Sequence, residues 1–308
     1  MAKLRISVVQ YLNTAPLVRG FTHGPLQGKY DLSFTVPSLC AEALRSGHAD
    51  VAIIPAIEYQ RIPGLVILPD LAIASKHRVR SLLLIAKTPI REARRIALDR
   101  SSRSTQALTK ILCDKLWSIS PEFSEAPPDV GAMLRDADAA MLIGDPALRF
   151  SLRMEPHARL GADASQNCPG ASVGLPEYEN LHVYDVVEQW RLQTGLPAVL
   201  AIWAARPDVA TSELSEEFLA SRDFGLSQLD AIGREASQEL GLPAPALVRY
   251  LRENIDFTLD KDNLEGLTAF FSHAARLNLI PQQQTVSIAA GPGSRGKYID
   301  MFLGRSAR

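Results

Sequence analysis

The chain has 308 residues, 46% of them hydrophobic, with 33 basic against 34 acidic side chains. That length supports a sizeable core and favours two lobes over one, because single cores stop growing near this size. A net charge of −1 leaves no electrostatic footprint for nucleic acid or an anionic membrane, and the longest apolar stretch, near 196–205, holds a proline and is about half a membrane span.

The first residues enter strand-like sequence at once, with no apolar signal region ahead of them. Cys40, Cys113 and Cys168 are odd in number and widely spaced, which suits reduced thiols better than a disulfide framework or a zinc site. A cytoplasmic protein is expected.

Strand and helix signals alternate through the first two-thirds, which predicts α/β layering around mostly parallel sheets. Residues 4–9 read as a strand, Asn13-Thr14 as a helix cap and 16–21 as a helix. A strand at 31–36 leads through Pro37-Ser38 into a helix over 39–46, stopped by Gly47. Residues 51–54 form a third strand, and 65–68 and 71–74 read as two short ones. The strand at 81–86 is broken by Lys87-Thr88-Pro89. A second block then starts afresh: a strand at 95–99, a polar turn at 101–104, an amphipathic helix over 105–116 and a strand at 139–143. Residues 183–194 are helical by period, Gly195 stops them, and 197–204 form a strong strand. From 212 to 280 the pattern is almost wholly helical. This order predicts a discontinuous first lobe (1–88 plus 198–285), an inserted second lobe (89–197) and a tail (286–308), with crossings near Pro89 and Pro197 acting as the hinge.

Three turns repeat one motif, a buried strand that ends in small or polar residues beside a helix-starting proline. They are Tyr11-Leu12-Asn13-Thr14-Ala15-Pro16, Ile53-Ile54-Pro55-Ala56 and Ile143-Gly144-Asp145-Pro146. Proline suits the first helical turn, and several helix N-termini facing one crevice suit a small anionic ligand. Asn13 ranks first among candidates, since its amide can cap a helix and also face a ligand. Ser38 and Asp145 share that ambiguity, with capping the simpler role; the Asp145 carboxylate would repel an anion. The run Ser101, Ser102, Arg103, Ser104 and Thr105 fits anion binding and plain capping equally. Lys76, His77, Arg78 and Arg80 form a charged loop just before Ser81.

Other motifs carry less. Gly291–Lys297 matches both a dinucleotide fingerprint and most of a P-loop, but Tyr298 replaces the magnesium-binding hydroxyl and too few residues follow. A flexible C-terminal segment is expected there. His23, His48, His77, His157, His182 and His273 show no metal-ligand spacing, so no metal or other cofactor is expected. Cys40 lacks a base partner and reads as a small apolar filler.

Taken together, Tyr11–Leu17, Pro37–Ala41, Ser46–Pro55, Ile143–Leu148 and Trp190–Pro197 resemble the chorismate dehydratase family of the futalosine route to menaquinone. The resemblance implies a two-lobe type II periplasmic-binding-protein-like fold with a cleft between the lobes, used as a cytosolic enzyme. It implies a hydro-lyase that removes water from chorismate, a dicarboxylate, to give 3-[(1-carboxyvinyl)oxy]benzoate. It also implies that Asn13 and Ser81 are tied to the substrate carboxylate and to catalysis. Tyr11, Leu12, Ser38, Ser102, Ser104, Thr105, Gly144 and Asp145 are the expected substrate contacts. The chain departs from the family at 83–87, where Leu-Leu-Ile-Ala-Lys replaces a more serine-rich strand, and at Ala198 and Leu200, where aromatics are common. Two alternatives share the fold: a non-catalytic receptor for small anions, and the sister enzyme acting on a dehypoxanthine futalosine derivative. The sister enzyme would be expected to carry a Pro-x-Pro-Asn-Asp-type turn and a cleft histidine. A transcription-factor ligand domain is more distant, as no helix-turn-helix precedes the first strand. Oligomeric state is left open.

Overall fold

A computed structural model describes residues 3–154 and 181–291 and the backbone of a strand at 298–301. Cys168, His157 and the glycine-rich run 292–297 lie outside the described residues. The chain opens with β1 (Arg5–Val9), α1 (Ala15–His23), β2 (Asp31–Thr35), α2 (Pro37–Ser46), β3 (Val51–Pro55) and β4 (Val66–Ser75). It continues through β5 (Leu82–Ala86), β6 (Arg95–Asp99), α3 (Ser104–Leu112), β7 (Glu122–Ala126), α4 (Val130–Asp136), β8 (Ala139–Ile143) and α5 (Gly144–Met154). After β9 (His182–Asp185) and α6 (Val186–Thr194) come β10 (Ala198–Ala205), the helices α7 (Ser212–Ser227), α8 (Leu229–Leu240), α9 (Ala244–Glu253) and α10 (Lys261–Arg276), then β11 (Val286–Ala289) and β12 (Tyr298–Met301).

Two mixed sheets flanked by helices result. The larger runs β12-β11-β4-β10-β3-β1-β2 and the smaller β7-β6-β8-β5-β9. The apolar runs dictate this layering: β3, β5, β8 and β10 are buried along their whole length, as strands covered on both faces must be. The core is anchored by Trp190, Trp203, Phe218, Phe270 and Tyr250, each at most 2% exposed. Each such side chain contributes about 1.5–3 kcal/mol of burial.

Several sequence expectations need correction. Parallel and antiparallel pairings are balanced rather than mostly parallel: β1–β2, β1–β3, β4–β11, β6–β7 and β6–β8 are parallel, whereas β3–β10, β4–β10, β5–β8, β5–β9 and β11–β12 are antiparallel. The chain leaves the larger sheet after β4 and re-enters it as β10, beside β4 and antiparallel to it. The crossing also falls earlier than Pro89. Strand β5 lies inside the smaller sheet between β8 and β9, so the chain changes sheets within 76–81. Its five apolar residues carry no mark of which sheet they join.

The two short strands at 65–74 are one strand, β4, that bends at Asp70 (φ 55°). Residues 183–194 divide into β9 and α6 because the Asp185 carboxylate accepts from the amides of Val187 (3.0 Å) and Glu188 (3.2 Å) and caps the helix. Strand β7, mostly exposed, and α4, a short helix that buries only Met133 and Leu134, gave no periodic apolar signal. At the C-terminus β11 pairs with β4 and β12 with β11, so part of the expected flexible tail is sheet edge.

Asp185 does more than cap. Its other oxygen accepts from the amides of Val79 (3.0 Å) and Arg80 (2.6 Å) in the outgoing passage, while its cap bonds hold the start of the return passage. Trp190 then donates from its indole to the carbonyl of Pro197 at 3.0 Å, fixing the approach to β10. Arg80 sits at φ 65°, a left-handed conformation sustained by this framework. One buried carboxylate therefore grips both passages between the sheets.

Candidate functional site

The turn after β1 is a short 3-10 turn, Leu12–Thr14, running directly into α1. Asn13 lies in it, 7% exposed, and α1 has no side-chain cap, so the capping role expected of Asn13 is not observed. Its Oδ1 accepts a long bond from the Thr14 hydroxyl at 3.4 Å. Burial raises the pKa of the Tyr250 hydroxyl, on the buried face of α9, and the nearby Asn13 side chain is among the groups that oppose that rise. That hydroxyl donates to the Oγ of Ser81 at 2.8 Å. Ser81, in the passage into the smaller sheet, is thus bonded to a helix that follows β10 of the larger one.

Ser81 is fully buried, and its carbonyl accepts from the Gly144 amide at 2.8 Å. Gly144, at φ 63°, lets the Tyr11 ring lie against its backbone; a Cβ there would stand 2.7 Å from ring carbons. The next residue, Asp145, points away from its own helix. Its carboxylate accepts from the Leu12 amide at 3.0 and 3.3 Å, across to the other sheet. Burial raises the Asp145 pKa to about 6, opposed by the Leu12 amide and by Arg149 one helical turn on. The helix-cap role expected of Asp145 is therefore replaced by a bond between lobes.

A second cluster surrounds the end of β6. Asp99 is buried, and its Oδ1 accepts from the Ser101 amide at 2.9 Å and from its hydroxyl at 2.7 Å. Burial pushes the Asp99 carboxyl up despite those donors. Ser101 Oγ also meets the Tyr11 hydroxyl at 3.3 Å, and burial raises that phenol to about 12. The Ser102 hydroxyl accepts from the Thr105 amide at 3.2 Å, a local cap. Ser104 Oγ accepts from the Ile57 amide at 3.3 Å, and the Ser38 amide donates to the Ser101 carbonyl at 3.1 Å. The last two bonds join the larger sheet's turns to the α3 entry. Ser38 lies inside α2, which begins without a side-chain cap, so the serine does not cap it.

The structure brings Tyr11, Leu12, Ser81, Gly144 and Asp145 into contact across the sheets, with Asn13 in the same turn as Leu12, and Ser104 and Ser38 reach across beside Ser101, Ser38 through its backbone amide alone. Ser102 serves a local cap, and Thr105 offers its amide to that cap. Sequence reasoning missed Tyr250 and Asp99. Tyr250 follows Leu247 at helical spacing on an apolar stripe, and a phenol on such a stripe demands a polar partner. Asp99 ends a strand just before two serines, a pattern for an aspartate-centred turn.

Residues elsewhere read as structural. Cys40 and Cys113 are buried, and burial raises their thiols to about 11 and about 12. The family departure at 83–87 concerns packing: Leu83 and Ile85 join a small cluster with Met133, Leu142 and Phe150. No described helix is long and apolar enough to cross a membrane.

Two mixed α/β sheets joined by paired passages, with polar turns facing across the junction, define a periplasmic-binding-protein-like fold. Solved structures of that shape are similar: the periplasmic aliphatic sulphonate binding protein SsuA of Escherichia coli (TM-score 0.61, 17% identity, covering 99% of this chain and 97% of that one) is one. A protein from Archaeoglobus fulgidus is another (TM-score 0.68, 19% identity, covering 90% of this chain and 98% of that one). The chain belongs to the menaquinone biosynthesis family, whose pattern it matches over residues 4–276. It is 26% identical to the chorismate dehydratase of Thermus thermophilus over 268 residues, 86% of this chain and 93% of that protein.

Proposed function

We propose that the protein is a chorismate dehydratase, a hydro-lyase that converts chorismate into 3-[(1-carboxyvinyl)oxy]benzoate in the futalosine route to menaquinone. The observation that supports this reading is the gathering of polar groups from separate segments at the junction of the sheets, where the Tyr250 hydroxyl donates to Ser81 near the Asn13 turn and the Leu12 amide meets Asp145. Neutral donors gathered from separate segments suit a substrate that brings its own negative charge.

The hydrogen lost lies on the ring carbon that bears the ether and is acidified, through the adjacent double bond, by the ring carboxylate. Removing it spreads charge onto that carboxylate; hydroxide then leaves and the ring becomes aromatic. In this proposal Asn13 donates where charge grows, an effect worth about 10²–10³ in rate for a single donor. Ser81 anchors the substrate carboxylate. The proton passes to the substrate's own enolpyruvyl carboxylate, so the protein acts by holding one conformer and keeping the side chain from folding over the ring. The second carboxylate is assigned to the Ser101–Thr105 turn, where the Ser102 and Ser104 hydroxyls accept from the Thr105 and Ile57 amides and keep their hydrogens to donate, while the buried Asp99 opposes an anion.

Among the described residues, the histidines favour this reading over the sister enzyme. His23 bonds Arg19 and Thr22, His48 bonds Ser46, His273 packs on Trp190, and His77 and His182 are exposed. The test is to mix purified protein with chorismate, without added metal or nucleotide, and follow the aromatic enol ether by chromatography. Chorismate disappearing only at its spontaneous rate refutes the proposal.

A further inference from the structure

The Ser81 hydroxyl has two neighbours. The Tyr250 hydroxyl donates to it at 2.8 Å, and the Val79 carbonyl lies at 3.5 Å, the outer limit of a hydrogen bond. The Ser81 backbone is held on both sides, by Asp185 through the amides of Val79 and Arg80 and by the Gly144 amide on its carbonyl. What the backbone leaves undecided is the direction of the hydroxyl proton. Tyr250 is 1% exposed on α9 between Leu247 and Leu251, so its ring has one seat. Burial drives its acidity far below that of a free phenol, which keeps the proton on.

We infer that Tyr250 is a positioning residue: by donating to Ser81 Oγ, it leaves the serine's own proton to point at the substrate. With one lone pair of Ser81 Oγ occupied, the serine hydrogen is free to donate to a ligand carboxylate. Without the phenol, that hydrogen turns back to the Val79 carbonyl. This inference rests on the function proposed above.

The test is Tyr250→Phe, which keeps the ring and deletes only the hydroxyl. Turnover of chorismate by Y250F, S81A and the double variant forms a cycle. Y250F is expected to lower kcat by about tenfold, the scale of one well-placed hydrogen bond, with KM changed less than threefold. In the S81A background the same change is expected to cost less than threefold, because the phenol acts largely through the serine. A purely structural role for Tyr250 would multiply the two effects in full. Y250F within twofold of wild type in kcat, or full multiplication with S81A, overturns the inference. The wild-type protein is the control for the function itself. If it leaves chorismate unconsumed, that reading fails, and crystal structures of wild type and Y250F decide the positioning claim. Ser81 Oγ is expected to move within hydrogen-bond distance of the Val79 carbonyl in Y250F; an unmoved hydroxyl rules positioning out.

Discussion

Replacing Gly144 by alanine tests the geometry of the site independently of its chemistry. Two costs combine at this position. The backbone has φ 63°, and holding a Cβ there costs about 1–2 kcal/mol. The new methyl would also stand 2.7 Å from Cδ2 and Cε2 of Tyr11, about 1 Å inside ordinary contact. The ring cannot simply swing aside, since its hydroxyl is bonded to Ser101 and the next amide to Asp145. Overpacking of this kind costs about 1–3 kcal/mol, giving a total of roughly 2–5 kcal/mol. Gly64 supplies the control, because it has φ 73° and nothing within 4 Å of its would-be Cβ. Urea unfolding of G144A and G64A side by side should therefore show G144A the weaker by about 1–3 kcal/mol. Adding Tyr11→Ala to G144A should recover part of the difference, as expected for residues in contact. Equal stabilities for the two alanine variants would refute the placement of Tyr11 on Gly144.

Asn13→Ala should lower turnover of chorismate by about 10²–10³ while lowering unfolding stability by only about 1 kcal/mol; near-normal turnover removes the residue from the mechanism. Asp185→Ala should destabilise the protein by about 3–5 kcal/mol in urea unfolding, because four backbone amides lose their acceptor, and a loss under 1 kcal/mol would contradict the clamp. Asp145 has a folded pKa of about 6, above its value in the unfolded chain, so the folded state holds more protons between roughly pH 4 and 6. Stability relative to Asp145→Asn should accordingly be greatest below pH 4, fall as pH rises through 6 and level off above it. A flat difference across that range would show that the carboxyl is not held in so dry a place.

Much of the fold was legible because its strands are apolar and its turns polar. Residues 5–9, 51–55, 95–99 and 139–143 needed nothing but that contrast. The same simplicity hid which sheet Leu82–Ala86 joins, since a strand buried on both faces looks alike in either. The edges were hardest: β7 is mostly exposed, α4 is short and buries only Met133 and Leu134, and β11 and β12 are short and follow a helical region. Within the site, strand-end residues such as Asn13, Ser81 and Gly144 stood out because each follows or opens an apolar run. Tyr250 did not, because within an amphipathic helix a buried phenol and a buried leucine obey the same period. What Asp145 bonds was equally out of reach, as its partner, Leu12, lies far away in the chain.

The grip of Asp185 on both passages has a mechanical consequence. Two separate linkers would allow the halves of the molecule to twist, slide and gape independently. Linkers pinned to a single anionic group share one axle, which favours a rocking of the sheets over independent twisting. The pin stands beside Ser81, since its acceptor bonds end on the amides of Val79 and Arg80.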